Sequence, residues 1–337
     1  MKSTIMQDNI TNEFLVTSDN SKKRIDTYLR GLLHNKYSRN YIQHAIKQNK
    51  VLVNGKPVTA NYRTKEADRI TIDIPPRKEY KALPEKIPVD IIYEDDDLII
   101  INKPAGMVVH PAFGNFTGTL VNALLYHYPD LPEPVRKNKE YPLDNSRLGI
   151  VHRLDKNTSG LIIVTKNQAS MTKVAAQFEK RIVKKTYLAV VEGKTAKKGN
   201  INAPIGRSSY DRKKMTVNLI AGKASETSFK LVKYVGPCSL IEVYPKTGRM
   251  HQIRVHMAHI GFPIIGDKDY WKGILGVNIP RQMLHAHKIT FIHPSTGKEV
   301  TFTSGLPADM KKVLIGLGRI KTGCIPAFVN PQAASFR

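Results

Sequence analysis

The stretch GIVHRLDKNTSGLIIVTK, from Gly149 to Lys166, sets one carboxylate, Asp155, behind His152-Arg153 and ahead of Lys156. Asn157-Thr158-Ser159-Gly160 reads as a turn, and the apolar run after it as a buried strand. A carboxylate at the lip of a strand can act as a nucleophile or a base if it stays ionised and positioned. A contacting cation keeps it ionised. Arg does so well because it is always charged and forms fork-shaped contacts. Arg153 and Lys156 are sequence neighbours of Asp155, but alternation along an extended segment points them elsewhere. Better partners lie downstream in TGRMHQIRVHMAHIG, where Arg249 and Arg254 flank a helix start. The sequence leaves open which of the two reaches Asp155. Taken alone, Asp155, Thr158 and Ser159 also suit an ordinary turn or cap.

Other reactive groups make weaker patterns. His251, His256 and His259 lie close together, as do His285 and His287, but there is no HExxH. Histidines that are structural or face a bound ligand are expected, and no metal. The acidic run Glu94–Asp97 sits in an evident turn and reads as solvated. Cys238 and Cys324 form no CxxC and no disulfide framework, as suits ordinary thiols in a reducing cytoplasm.

The elements that must hold these residues belong to a basic chain of 337 residues, long enough for two domains. Its 53 Lys and Arg outnumber 28 Asp and Glu, giving a formal charge of +25. An excess of that size points to a polyanionic partner, nucleic acid above all. No apolar run approaches the ~20 residues of a membrane span, and the N-terminus lacks the apolar core of a signal peptide. A cytoplasmic monomer without membrane contact is expected.

Residues 1–21 are polar and expected to be flexible. Within 22–74, KRIDTYLRGLL and SRNYIQHAIKQNK carry apolar residues at helical spacing, and KVLVNGKPV alternates around the hairpin signal Asn54-Gly55. Residues 75–89, rich in Pro and charge, read as a linker. From 90 to 320, strand-like segments dominate, with helices expected over 117–127, 167–181 and 249–260. The reading is α+β: a mixed, mostly antiparallel sheet flanked by helices, behind a small N-terminal α+β domain. Residues 321–337 form a tail without clear period.

The segment 22–74 resembles the S4 RNA-binding domain, through KRIDTYL, SRNYIQHAI and KVLVNGKPV. S4 domains usually carry Gly where Asn49 stands, and often Gly-Asp where this chain has Ala67-Asp68. Lys23, Arg24, Arg39 and Lys47 are its candidate RNA-binding cations. The large segment resembles the RluA-type RNA pseudouridine synthases. The blocks are EDDDLIIINKPAGMVVHPAFGNFTGTLVNALLYH, GIVHRLDKNTSGLIIVTK, KKTYLAVVEG, TGRMHQIRVHMAHIGFPIIGD and LHAHKITFIHP, in the family's order. With the S4-like segment ahead, the arrangement is most similar to the ribosomal large-subunit synthase D branch.

The resemblance implies roles. Asp155 matches the essential aspartate and Arg254 the arginine that pairs with it. Tyr187 matches the tyrosine that stacks on the target base and can accept the C5 proton. Leu284 matches an apolar residue of the pocket floor, and Arg153 the arginine that enters the RNA stack where the base leaves. Met250 stands where the family usually has Thr, and Lys246 where it usually has an acidic or polar residue. The implied reaction turns uridine into pseudouridine with no cofactor, since no atoms are gained or lost. The implied substrate is 23S-type ribosomal RNA or a pre-ribosomal particle. Two rival readings use the same residues: an idle RNA-binding or assembly factor, and a nucleoside or glycoside hydrolase. The hydrolase would need a second poised carboxylate, which the HRLD segment does not supply.

Overall fold

The structure is a computed structural model and describes residues 10–33, 37, 39–74, 82–111, 114–132, 148–208, 210–211, 214–273 and 275–320. The C-terminal tail and Cys324 lie outside these residues, as do positions 1–9 and 75–81. The chain divides into two compact units, with the boundary between Lys81 and Ala82.

The small unit contains β1 (Ile10–Leu15), α1 (Ile25–Leu32), α2 (Arg39–Lys47), β2 (Val51–Val53), β3 (Lys56–Pro57) and β4 (Arg69–Ile74). Its antiparallel sheet has the order β1-β4-β2-β3. The helical spacing read from the sequence places Ile25 and Leu29 of α1 with Ile42 and Ile46 of α2 in one core, against Val51, Ile70 and Ile72. Asn54 and Gly55 both have positive φ, 50° and 74°, as a two-residue hairpin turn requires. Asn49 adopts φ 58°, so it serves where S4 domains usually have Gly. Ala67 also sits at φ 63°, at a cost of about 1 kcal/mol that a glycine would avoid.

The N-terminal expectation needs correction. Residues 10–15 pair along their whole length with β4, from Ile10↔Ile74 to Leu15↔Arg69. ITNEFL, without regular alternation, hid a strand whose partner lies about sixty residues on.

The large unit contains β5 (Ile91–Glu94), β6 (Leu98–Lys103), α3 (Leu120–His127), β7 (Ser159–Thr165), α4 (Gln168–Glu179), β8 (Lys184–Glu192), β9 (Lys198–Asn202), β10 (Ile205–Arg207), β11 (Met215–Val217), β12 (Glu226–Val235), β13 (Cys238–Pro245), α5 (Gln252–His259), β14 (Leu284–Ile292), β15 (Glu299–Thr303) and α6 (Ala308–Gly318). The main sheet runs β5-β6-β7-β14-β8-β13-β12-β9, with β15 beside β14. All pairings in it are antiparallel except β7 with β14, so the fold is α+β as expected. β6 and β7 are buried on both faces, which explains their continuous apolar runs. Ile99, Ile101, Ile162 and Val164 meet α3 on one face. Leu98, Ile100, Leu161 and Ile163 meet Val174 of α4 on the other.

The Pro-rich segment also departs from expectation. Residues 82–89, read as linker, dock on the large unit. Ala82 is buried in its core, Asn122 Nδ2 donates to Leu83 O at 2.8 Å, and Glu85 N donates to Asn122 O at 2.9 Å. Buried Asn122 needs these partners, and the segment supplies them.

The parallel pairing at the sheet centre positions the site. It consists of Ser159↔His285 and Gly160↔Ala286. Gly160 has φ +113°, and a Cβ there would lie 2.3 Å from Ala286 O. Only glycine permits that approach, which sets the loop before β7 beside the start of β14.

Candidate active site

Asp155, Arg153, Tyr187, Arg254 and Leu284 all line one cavity of about 560 Å³, so the structure brings together every candidate of the catalytic segment. Asp155 sits in the loop before β7, Leu284 opens β14, and Tyr187 lies on β8 opposite Ala286 of β14 and Val243 of β13. Arg153 is exposed at the cavity.

The question of which arginine meets Asp155 is resolved. Arg254, in the first turn of α5, is buried and its Nη1 donates to Asp155 Oδ2 at 3.1 Å. Arg249 precedes the helix and its Nε donates to Ala224 O at 3.3 Å. Arg254 also forks onto Asp267, with Nε to Oδ2 at 2.6 Å and Nη2 to Oδ1 at 2.7 Å. Its Nη2 reaches Asp269 Oδ2 at 2.5 Å, and its guanidinium lies 5.1 Å from the centre of the Tyr270 ring. Burial opposes its charge, but hydrogen bonds and charge from Asp267, with Asp155 and Asp269, raise its pKa above the ordinary arginine value. One cation is therefore shared among three carboxylates. His251, at φ 55° before α5, places Nε2 3.9 Å from Asp155 Oδ2. Burial lowers its pKa, against the pull of Asp155. Tyr187 is pushed above the ordinary tyrosine value by burial and then by the charge of Asp155.

The backbone after Asp155 is held from beneath. Thr158 N closes a turn onto Asp155 O at 3.0 Å, and Gly106 N donates to Lys156 O at 2.8 Å. Lys103, fully buried, donates from Nζ to Pro104 O, Met107 O and Lys156 O at 2.7, 2.9 and 3.3 Å. Burial, then the charge of Arg281, lowers its pKa to about 7. Yet three carbonyl acceptors match the three donors of an ammonium, and that geometry favours the charged form. Arg281, buried, donates to Asn157 O at 3.0 Å and Ser159 Oγ at 3.1 Å. It is paired in turn with Asp309 of α6, at 2.7 and 3.1 Å. Gln282 Nε2 reaches Thr158 Oγ1 at 3.2 Å.

Sequence reasoning missed Asp267, Asp269, Lys103 and Arg281, and saw His251 only as one of a histidine cluster. Asp267 ends a block already quoted, and the lysine of NKPAG was visible inside an apolar run. Their partners, however, are brought together only by the fold. Two of the other histidines, His256 and His285, are structural. His256 bonds Thr227 Oγ1 and Ala203 O, both at 2.9 Å, and His285 bonds Ser159 Oγ at 2.9 Å. The acidic turn is more organised than a solvated one. Asp95 accepts from the backbone of Asp97 and Leu98 and meets His293 at 2.8 Å. Asp97 accepts from Ser170 and Asn167 at the start of α4. Of the two departures from the family pattern, Met250 lines the cavity, and Lys246 pairs with Glu226.

In the small unit, Lys23 and Lys47 are exposed, and Lys23 Nζ donates to Asn20 Oδ1 at 2.8 Å. Arg24 and Arg39 converge on Asp26 Oδ2 at 3.1 and 3.0 Å, while their side chains stay partly exposed. Burial opposes the charge of Asp26, but hydrogen bonds from Arg24, Gln43 and Arg39 hold its pKa well below the usual 3.8. A carboxyl with a depressed folded pKa adds stability above its unfolded pKa and loses it as pH falls through the folded value. The small unit is therefore expected to lose stability as pH drops below 3.8. Asp26→Asn should flatten that dependence. Amide exchange in the full chain at stepped pH measures both.

Comparison with known proteins shows the family of the chain. Residues 97–259 match the RNA pseudouridylate synthase family, and residues 23–70 match the S4 domain. The chain is 43% identical over 321 residues to an uncharacterised RNA pseudouridine synthase of Chlorobaculum parvum, covering 89% of this chain and 95% of that protein. It is 38% identical over 320 residues to the ribosomal large subunit pseudouridine synthase D of Neisseria meningitidis serogroup A, covering 92% and 82%. The solved structure of human RNA pseudouridylate synthase domain containing 1 is similar at a TM-score of 0.52 and 25% identity, over 70% of this chain and 97% of that one. This chain belongs to the RluA-type RNA pseudouridine synthases, isomerases of uridine in RNA, and carries an RNA-binding S4 domain ahead of its catalytic domain.

Proposed function

We propose that the chain isomerises uridines of large-subunit ribosomal RNA, with Asp155 as its catalytic group. The observation that carries this reading is the Asp155–Arg254 contact inside the cavity that Tyr187 and Leu284 also line. The name of the Neisseria relative supports the choice of RNA.

The reaction breaks N1–C1′, turns the uracil, joins C5 to C1′, releases the C5 proton to solvent or a base, and returns a proton to N1, so that no atoms are gained or lost. Asp155 serves either of two routes, attack on C1′ or removal of a ribose proton to give a glycal. Arg254 fixes the carboxylate from behind and cannot wander, because Asp267 holds it in a fork. A paired base cannot reach the cavity, so the uridine flips out at a cost of a few kcal/mol. Stacking on Tyr187 offsets about 1–3 kcal/mol of it, with Leu284 closing the floor and Arg153 filling the vacated stack. The raised pKa of Tyr187 keeps it a neutral phenol, which suits stacking and disfavours it as acceptor of the C5 proton. Lys23, Arg24, Arg39 and Lys47 hold phosphates away from the target.

Pseudouridine mapping in ribosomal RNA from cells with and without the gene tests the substrate. Loss of one or a few large-subunit sites is expected. An unchanged ribosomal pattern with sites lost from another RNA would overturn the assignment.

A further inference from the structure

The catalytic cavity contains a cation with no part in the chemistry above. Lys185 lies two residues before Tyr187 on β8, so both side chains leave the same face of the strand, and both line the cavity. Lys185 is half-buried, and burial pulls its pKa below the ordinary lysine value. Among the described residues, no carboxylate pairs with it and no group accepts a hydrogen bond from it. Other buried cations of this unit are compensated: Lys103 by three carbonyls, Arg254 by three carboxylates, Arg281 by Asp309. Withdrawing an ammonium from water without a partner is unfavourable, and an anionic ligand would reverse that.

The surroundings favour such a ligand. Arg153 and Arg181 are exposed and line the same cavity. Arg181 follows α4 at φ 60° as the left-handed residue that closes the helix, with its N donating to Phe178 O. His152 stacks on Phe178 with ring centres 4.7 Å apart. Its pKa is pushed down to about 3 by burial and by the charge of Lys185, so it adds no competing charge.

We propose that Lys185 binds a phosphodiester group flanking the target uridine, and so fixes how deeply the flipped nucleotide enters. This rests on the uridine-isomerising reading above and names one contact within it. Two residues along a strand span about 7 Å, comparable to the reach from a nucleotide's base to its own phosphate. With uracil on Tyr187 and the ribose at Asp155, a flanking phosphate arrives over Lys185. The phosphate is charged before reaction begins, so it matches a cation that is unpaired in the free protein.

The test uses the full chain, a hairpin RNA containing the modified uridine, and the same RNA with a neutral methylphosphonate on either side of that uridine. Lys185→Met is expected to weaken binding and raise KM roughly 10- to 100-fold. It should also lower the slope of log affinity against log salt by about 0.7. Lys185→Arg should recover most of the loss. One methylphosphonate should weaken the wild-type protein while costing Lys185→Met nothing further. Thermal melts check folding, and Lys185→Gln replaces the Met variant if that one fails to fold. Unchanged affinity and salt slope would overturn the proposal. So would a loss confined to kcat at saturating RNA, which would assign the ammonium to the departing uracil anion. Wild-type protein that binds but yields no pseudouridine in any RNA would instead sink the functional reading.

Discussion

Asp155→Asn is expected to lower pseudouridine formation by at least about 10³-fold while leaving RNA affinity within a few-fold of the parent. Asn fills the same space but brings no negative charge to C1′ and no basic oxygen. The fold should tolerate the change. Arg254 keeps Asp267 and Asp269 as partners, and the Asp155 side chain is 23% exposed, so the exchange leaves no buried charge alone. Binding should persist because cations spread over both units supply the phosphate contacts. Single-turnover assays at saturating RNA, with filter binding in parallel, read the two quantities separately. Activity within about tenfold of the parent would remove the carboxylate from the mechanism.

Arg254→Gln should act on stability and activity together. Removing the guanidinium leaves Asp267, fully buried, with Asp155 and Asp269 nearby and no cation among them. Breaking a buried pair by deleting one partner typically costs about 3–5 kcal/mol. Denaturant melts should show a loss of that order, with activity down by at least about 100-fold as Asp155 loses its support. Arg254→Lys should fall between, because one ammonium cannot fork onto Asp267 and still reach both other carboxylates. A Gln variant that melts with the parent and keeps most of its activity would show that the cation is dispensable.

These two predictions concern residues that the sequence offered in different degrees. Asp155 was visible because a turn, a charge pair and a strand start coincide within a few residues, and because the surrounding blocks follow a family order. Arg254 was one of two candidates. Residue spacing did not separate it from Arg249; only the family resemblance of HQIRVH singled it out, and the fold shows why, with α5 turning its first residues inward. Asp267 and Asp269 lie 13 and 15 residues from Arg254, past the end of the helix, so no helical or strand period links them. The three expected helices of the catalytic segment appear as α3, α4 and α5. β1 was missed because a six-residue strand without regular alternation is defined by its partner rather than by its own pattern. α6 was missed because glycines interrupt ADMKKVLIGLG, and packing of Met310, Val313 and Leu317 on the core overrides that weak propensity.

The ion pair between Arg281 and Asp309 ties the reactive loop to the last described helix. In a nascent polypeptide the loop that holds Asp155 is made long before Asp309, the acid that pairs with Arg281. Arg281 therefore gains this partner only once α6 has been synthesised.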